Sequence, residues 1–365
     1  MVHSSVACCQ EIPFPMHCHL VIPHLLDALD GAPRLPAFEA LAARGRREGL
    51  PGEGTEAWLC AHFGIAKQRD WPIAPLAAAA DGLALEGRYW LCADPVHLSL
   101  QGNALMLSEL HPADLTQSEA DALIDAVNVH FSPADLRLVA AHPAYWYLVL
   151  PADPGISTTP LADALEHDIQ AWLPRGPGAL RWAALLNELQ MLLHSHPVNQ
   201  ARETRGQPAI NSLWPWGGGL PPEGRPYAGT LWANHRRARA IAKRCLADTR
   251  ELPPDAARWL EFANADGRFH LIVLDQVEAH LRRHDLAAAR SAAAHLDRAW
   301  GAALLRELRQ GRLTSLALTL PGDPGVLHVQ VRRRDLFRWW RRPSPLARLA
   351  PSRALSAKGP SPCPY

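Results

Sequence analysis

The stretch NELQMLLHSHPVNQARETRGQPAINSLWPWGGG, residues 187–219, carries more of the fold than any other part of the chain. Leu189, Leu192 and Leu193 keep a helical rhythm that runs into His196-Pro197-Val198-Asn199, where Pro197 makes continued regular helix costly. A polar segment follows, then a short apolar run over 210–216 closed by Gly217, Gly218 and Gly219. Glycines that end a buried strand let backbone approach backbone or ligand closely.

Upstream, the spacing predicts a long helix over 179–194, entered through Trp172-Leu173-Pro174-Arg175-Gly176. Between 89 and 150 the pattern changes to short strand-like runs at 89–93, 96–100 and 104–108, broken by Pro95 and by Gly102-Asn103. Gln101-Gly102-Asn103 between two apolar runs suggests a hairpin. Thr116-Gln117-Ser118-Glu119 is a capping box, and Ala122, Leu123, Ala126, Val127 and His130 continue its helix on one face. With a further apolar strand over 144–150, this region forms a compact α+β module.

The flanking segments alternate differently. A buried strand begins at 19–23, and a helix is expected over 35–47, with Pro36 near its start and Gly45 at its end. A short helix follows at 58–65. Beyond Pro226, strands at 230–233, 270–274 and 315–320 alternate with helices at 236–245 and 286–309. Such alternation argues for a mostly parallel sheet with helices on both faces. The tail from Pro343, rich in Pro, Ser, Ala and Arg, has the composition of a disordered segment.

The chain has 365 residues and a formal net charge of +1, so bulk electrostatics point to neither nucleic acid nor a membrane as partner. Its lysines are Lys67, Lys243 and Lys358, and arginine supplies the remaining positive charge. The seven cysteines are scattered without disulfide or zinc spacing, consistent with reduced thiols in a cytoplasmic protein. No apolar run is long enough to span a bilayer, and the first fifteen residues lack a signal-peptide pattern. Translation could start at Met1 or at Met16.

The 187–219 stretch resembles the archaeal-type cofactor-independent phosphoglycerate mutases of the alkaline-phosphatase superfamily. Asn199, Arg202, Asn211, Trp214, Trp216, Gly217 and Gly219 match a pattern found where those proteins return from an inserted domain. The resemblance implies an α/β fold: an alkaline-phosphatase-like, mostly parallel sheet core with an inserted α+β domain. The implied layout is an N-terminal extension over 1–18, a core over 19–88 and 220–342, an insertion with its return segment over 89–219, and a tail over 343–365. A bacterial group of regulatory proteins of pathogenicity-factor clusters is similar as well.

The resemblance also implies where chemistry belongs. Mutases of this type use two divalent metals and a hydroxyl nucleophile, because paired cations neutralise phosphoryl oxygens and activate the attacking group. The first ligand should be an aspartate ending the first strand, but this chain has Pro23-His24, with Asp27 further on. A T-x-D-H element should follow the last strand, and here Thr319-Leu320-Pro321-Gly322-Asp323 stands instead. Gly54-Thr55-Glu56 with Gly64 keeps the family's glycine spacing and puts Thr55 at the nucleophile position. Thr55 is equally an N-cap for the following helix, the commoner use of such a residue. Asp275, His280 and His284 are the candidate metal ligands, since histidines four apart on a helix share a face. Arg282 and Arg283 beside them favour a solvated helix face.

His196, Asn199 and Arg202 could line a phosphate cleft. The Arg332–Arg342 segment, with Phe337, Trp339 and Trp340, is either a packed chain end or a surface for a protein partner. The expected molecule is a phosphoglycerate-mutase-like protein that has lost its two-metal site and acts in regulation or ligand sensing. It would bind a phosphorylated small molecule and need no cofactor. The alternative is a manganese- or zinc-dependent phosphoryl-transfer enzyme, mutase or phosphatase, using Thr55.

Overall fold

Strand β1 (His17–Val21) alternates between two environments, and that alternation organises the first half of the structure. Cys18 and Leu20 enter the main core, whereas His17 and His19 point to the other face. The computed structural model describes residues 16–29, 33–50, 52–110, 114–165, 168–263, 269–322 and 325–350. It divides into two compact units, one formed by 1–55, 227–235 and 247–365, the other by 56–226 and 236–246. The second is thus inserted in the sequence of the first.

The first unit holds a seven-stranded sheet. Its members are β1, β2 (Arg46–Leu50), β8 (Gly229–Trp232), β9 (Asp248–Arg250), β10 (Phe269–Val273), β11 (Ser315–Gly322) and β12 (Gly325–Arg332). The order is β2-β12-β11-β1-β10-β8-β9, with β11, β1, β10, β8 and β9 parallel and β12 and β2 added antiparallel at one edge. One face packs under helices α1 (Pro36–Arg44), α9 (Ala256–Ala263), α11 (Leu286–Leu296) and α12 (Ala302–Gln310). Phe38, Trp259 and Trp300 are fully buried there against Leu20, Ile272, Leu318 and Val329. Each aromatic removes about 150–250 Å² from water, on the order of 4–6 kcal/mol of apolar burial. A short helix, α10 (Gln276–Leu281), follows β10.

The second unit is built on β3 (Tyr89–Gln101), with β4 (Ala104–Glu109), β5 (Arg137–His142), β6 (Tyr145–Leu150) and β7 (Ser212–Gly219), all antiparallel. Its helices are α2 (Thr55–His62), α3 (Ile73–Ala80), α4 (Gln117–Phe131), α5 (Leu161–Ala164), α6 (Ala179–His194), α7 (Pro197–Thr204) and α8 (Arg236–Arg244). Thr55 itself falls with the first unit. The capping box on Thr116 and Glu119 is present, and Gly102-Asn103 closes the β3–β4 hairpin, with Gly102 at φ +61°.

The glycine run ending β7 is structural. Between the Trp90–Gly219 and Cys92–Trp216 pairs, β7 carries one residue more than β3, and Gly217 at φ +65° accommodates the bulge. An added Cβ at Gly219 would lie 2.6 Å from the Pro72 side chain, so the close approach here is protein to protein.

Several expectations are corrected. The helix expected over 35–47 stops at Arg44, and β2 begins at Arg46. A Cβ at Gly45 would meet Val329 at 2.7 Å, so only glycine lets the chain turn into the edge strand there. Pro95 does not break β3. The strand trades β6 for β4 between Cys92 and Val96, where a missing N–H is tolerated. The helix expected over 286–309 holds a π turn at Asp297–Gly301. Of the tail expected to be unstructured, residues 346–349 form a 3₁₀ turn with Leu346 buried in the core, while 351–365 lie outside the described residues. Residues 1–15 of the expected N-terminal extension also lie outside them. No helix among the described residues is long and apolar enough to cross a membrane.

Candidate functional site

Because β11, β1, β10 and β8 are parallel neighbours, the residues that follow them share one edge of the sheet, where open α/β folds bind ligands. After β1, His24 has φ +55°, its N–H bonds Pro321 O at 2.7 Å, and its Nδ1 lies 2.8 Å from Asp27 Oδ2. At the end of β11 stand Pro321 and Gly322, and a Cβ at Gly322 would meet the Asp27 carboxylate at 2.8 Å. Asp27 thus fills the space that a side chain at 322 would need. Asp323 lies outside the described residues.

After β10, Glu278 is buried and Asp275 half-buried. Burial raises the Asp275 carboxyl above its ordinary range and Glu278 adds to this, while His235 and Arg282 pull the other way. Glu278 is 6% exposed, and its Oε1 is 3.5 Å from Arg282 Nε.

Of the expected histidine pair, only His280 lies on helix α10, while Asp275 stands at its N-cap. Helix α10 ends at Leu281, and His284 sits in the following turn at φ +58°. The pair four apart therefore lacks the shared helical face that its spacing suggested. Among the described residues, no group of three or more His, Cys, Asp or Glu is placed to hold a metal ion. Thr55 opens α2 after Gly54 at φ +91°, and it is 2% exposed. Among the described residues its hydroxyl has no hydrogen-bond partner, so it neither caps the helix nor bonds a general base there.

His196, Asn199 and Arg202 make framework contacts. His196 caps α7, its Nδ1 accepting from Val198 N at 3.3 Å. Asn199 donates to Leu193 O and Ile210 O and accepts from Ile210 N, each at 2.8 Å. Arg202, fully buried, donates to Pro208 O and Asp114 O and pairs with Glu119.

Two polar networks escaped the sequence reading. In the second unit, Arg237 stacks 4.5 Å over Trp216 and pairs with Glu56, while Trp216 donates to Asp94 at 2.7 Å. Arg236 pairs with Asp81 and bonds the Tyr147 hydroxyl at 2.8 Å. These arginines are partnered inside their own unit. In the first unit, Thr319 Oγ1 lies 2.7 Å from His19 Nε2 and 2.8 Å from His328 Nδ1, a chain across three adjacent strands. The period-two placement of His17 and His19 in β1 was the available signal.

Burial lowers the His328 imidazole below its ordinary value, against an opposing pull from Glu48. The unfolded chain therefore takes up this proton at a higher pH than the folded one, and the resulting stability, present above about pH 6.5, is lost as pH falls through the folded value. In urea unfolding between about pH 7 and pH 5, His328→Asn should show a shallower loss of stability than wild type. Equal slopes would contradict this assignment.

No protein-family model matches the chain. Curated relatives do. The 2,3-bisphosphoglycerate-independent phosphoglycerate mutase of Methanosarcina mazei is 29% identical over 208 residues, covering 53% of this chain and 50% of that protein. The probable 2,3-bisphosphoglycerate-independent phosphoglycerate mutase of Geobacter sulfurreducens is 27% identical over 202 residues, 52% of this chain and 50% of that protein. The chain thus spans about half the length of the curated relatives it matches. The solved PH0037 protein from Pyrococcus horikoshii shares the fold, with a TM-score of 0.52 at 15% identity over 88% of each chain.

Proposed function

We propose that this relative of the cofactor-independent phosphoglycerate mutases binds a phosphorylated small molecule without turning it over, and acts in regulation or ligand sensing. One observation carries the reading: at the carboxyl edge of the parallel sheet, the described acids lie beside basic side chains, and no three metal donors come together. Asp27 is held by His24, Glu278 lies against Arg282, and Pro23, Pro321 and Gly322 offer no ligand side chain. Two divalent ions need several uncommitted oxygen or nitrogen donors around each. The described donor set does not fit that requirement, and a guanidinium beside Glu278 opposes a second cation further. The phosphorylated ligand is inferred from the relatives, which are 2,3-bisphosphoglycerate-independent phosphoglycerate mutases.

Three measurements on the purified full chain test this together: bound metal, mutase and generic phosphatase turnover with added manganese, and thermal shift with phosphoglycerate. The expected result is substoichiometric metal, no turnover by wild type or Thr55→Ala, and a rise in Tm. A ligand at about a hundred times its Kd adds about 2.7 kcal/mol. Stoichiometric manganese or zinc with turnover that Thr55→Ala abolishes would overturn the reading in favour of a phosphoryl-transfer enzyme.

A further inference from the structure

The chain's near-zero net charge conceals one strongly basic segment. Between Arg332 and Arg342 stand six arginines and a single acid, Asp335. That acid is buried and already engaged, accepting from Arg332 N at 2.9 Å and pairing with Arg338 at 3.0 Å. The segment leaves β12, makes a 3₁₀ turn at Arg333–Phe337, and is fastened to the end of α1. Arg338 donates to Arg44 O at 3.0 Å and Arg341 to Gly45 O at 3.3 Å. Arg46 and Arg47, at the adjoining start of β2, are exposed as well.

From this fastened base the aromatics project outward, which fits the surface alternative and not the packed one. Phe337 is 72% exposed, Trp339 80% and Trp340 63%. Side chains this exposed stand proud of the surface, and burying all three requires a medium that envelops them. Trp339 and Trp340 meet edge to face, with centroids 6.2 Å apart and planes at 84°. They therefore offer no parallel platform on which successive bases could stack. Projecting indoles ringed by arginines match the headgroup region of an anionic bilayer, where Trp is favoured and basic side chains meet acidic lipid.

We propose that the 332–342 segment docks this protein on anionic membrane surfaces, with Phe337, Trp339 and Trp340 entering the interface and the arginines contacting lipid phosphates. The contact is peripheral, and it stands independently of the ligand-binding reading above.

Co-sedimentation of the full chain with phosphatidylcholine vesicles containing phosphatidylserine as about a third of the lipid tests it, at about 0.1 M salt where the screening length is about 10 Å. Binding is expected to the mixed vesicles and to fall at least tenfold on pure phosphatidylcholine. Trp339→Ala/Trp340→Ala should weaken partition about tenfold or more. Arg334→Gln and Arg342→Gln should each weaken it about fivefold. All four side chains are exposed, so circular dichroism should match wild type for every variant. No sedimentation, equal binding to neutral vesicles, or binding indifferent to the tryptophan pair would each overturn the proposal. So would an RNA oligonucleotide or an acidic peptide that binds this segment tightly while the vesicles do not.

Discussion

Arg202→Met should destabilise the second unit by about 3–5 kcal/mol, one of the two largest single-residue effects expected in this protein. The guanidinium is fully buried and ties three separate segments together. Its Nε donates to Pro208 O at 3.0 Å, and its Nη1 donates to Asp114 O at 2.8 Å and lies 3.4 Å from Glu119 Oε2. Methionine fills comparable volume but leaves both carbonyls without this donor, each orphan costing about 1–3 kcal/mol. Glu119 is less affected, because Arg205 still holds it at 2.6 Å and Thr116 donates to it. That places the loss near the lower end of the range. Arg205→Ala is the control: its side chain is half exposed, and a change of no more than about 1 kcal/mol is expected. Hydrogen exchange should show lost protection in α7, β7 and the start of α4. Urea unfolding in which Arg202→Met matches wild type would refute the framework role.

That result would also show how the most legible part of the sequence encodes framework as well as any chemistry. The segment 187–219 identified the fold because Pro197, Asn199, Arg202 and the glycines are each demanded by backbone geometry. A motif fixed for such reasons resembles one fixed by chemistry when only the letters are visible. Asn199 and Arg202 looked like phosphate ligands, yet their polar atoms mainly serve main-chain groups.

Part of the candidate site was readable in the same way. Pro23, Pro321 and Gly322 carry no ligand side chain, whatever surrounds them, and the sequence alone shows that. Spacing alone could not reveal that α10 ends before His284, because that end depends on the turn into α11. Nor could it reveal that the Thr55 hydroxyl is buried with no hydrogen-bond partner among the described residues, or that a histidine pair meets across Thr319 from strands about 300 residues apart in sequence. Long-range partners leave no periodic trace in either strand.

Asp297→Ala is expected to cost the first unit about 2–4 kcal/mol, through a contact of the same long-range kind. Helix α1 begins at Pro36 after Leu35, which offers no side-chain cap. Its free N–H groups are met instead by Asp297, whose Oδ1 accepts from Phe38 N at 2.8 Å and Oδ2 from Ala37 N at 3.2 Å. Asp297 reaches them from the π turn between α11 and α12, in which Gly301 meets Phe38: a Cβ there would lie 2.9 Å from the ring. The helix thus obtains its cap from a residue about 260 positions away, and the π turn is what aims that carboxylate. Burial raises the Asp297 carboxyl above its ordinary range, so keeping it ionised offsets part of what the cap contributes. The net loss on truncation is therefore smaller than two orphaned N–H groups alone would give. Asp297→Asn keeps one acceptor oxygen without the charge and should recover about half of the loss. Amide exchange at Ala37 and Phe38 reads the contact directly. If both amides stay as protected in Asp297→Ala as in wild type, the cap lies elsewhere and the π turn needs another explanation.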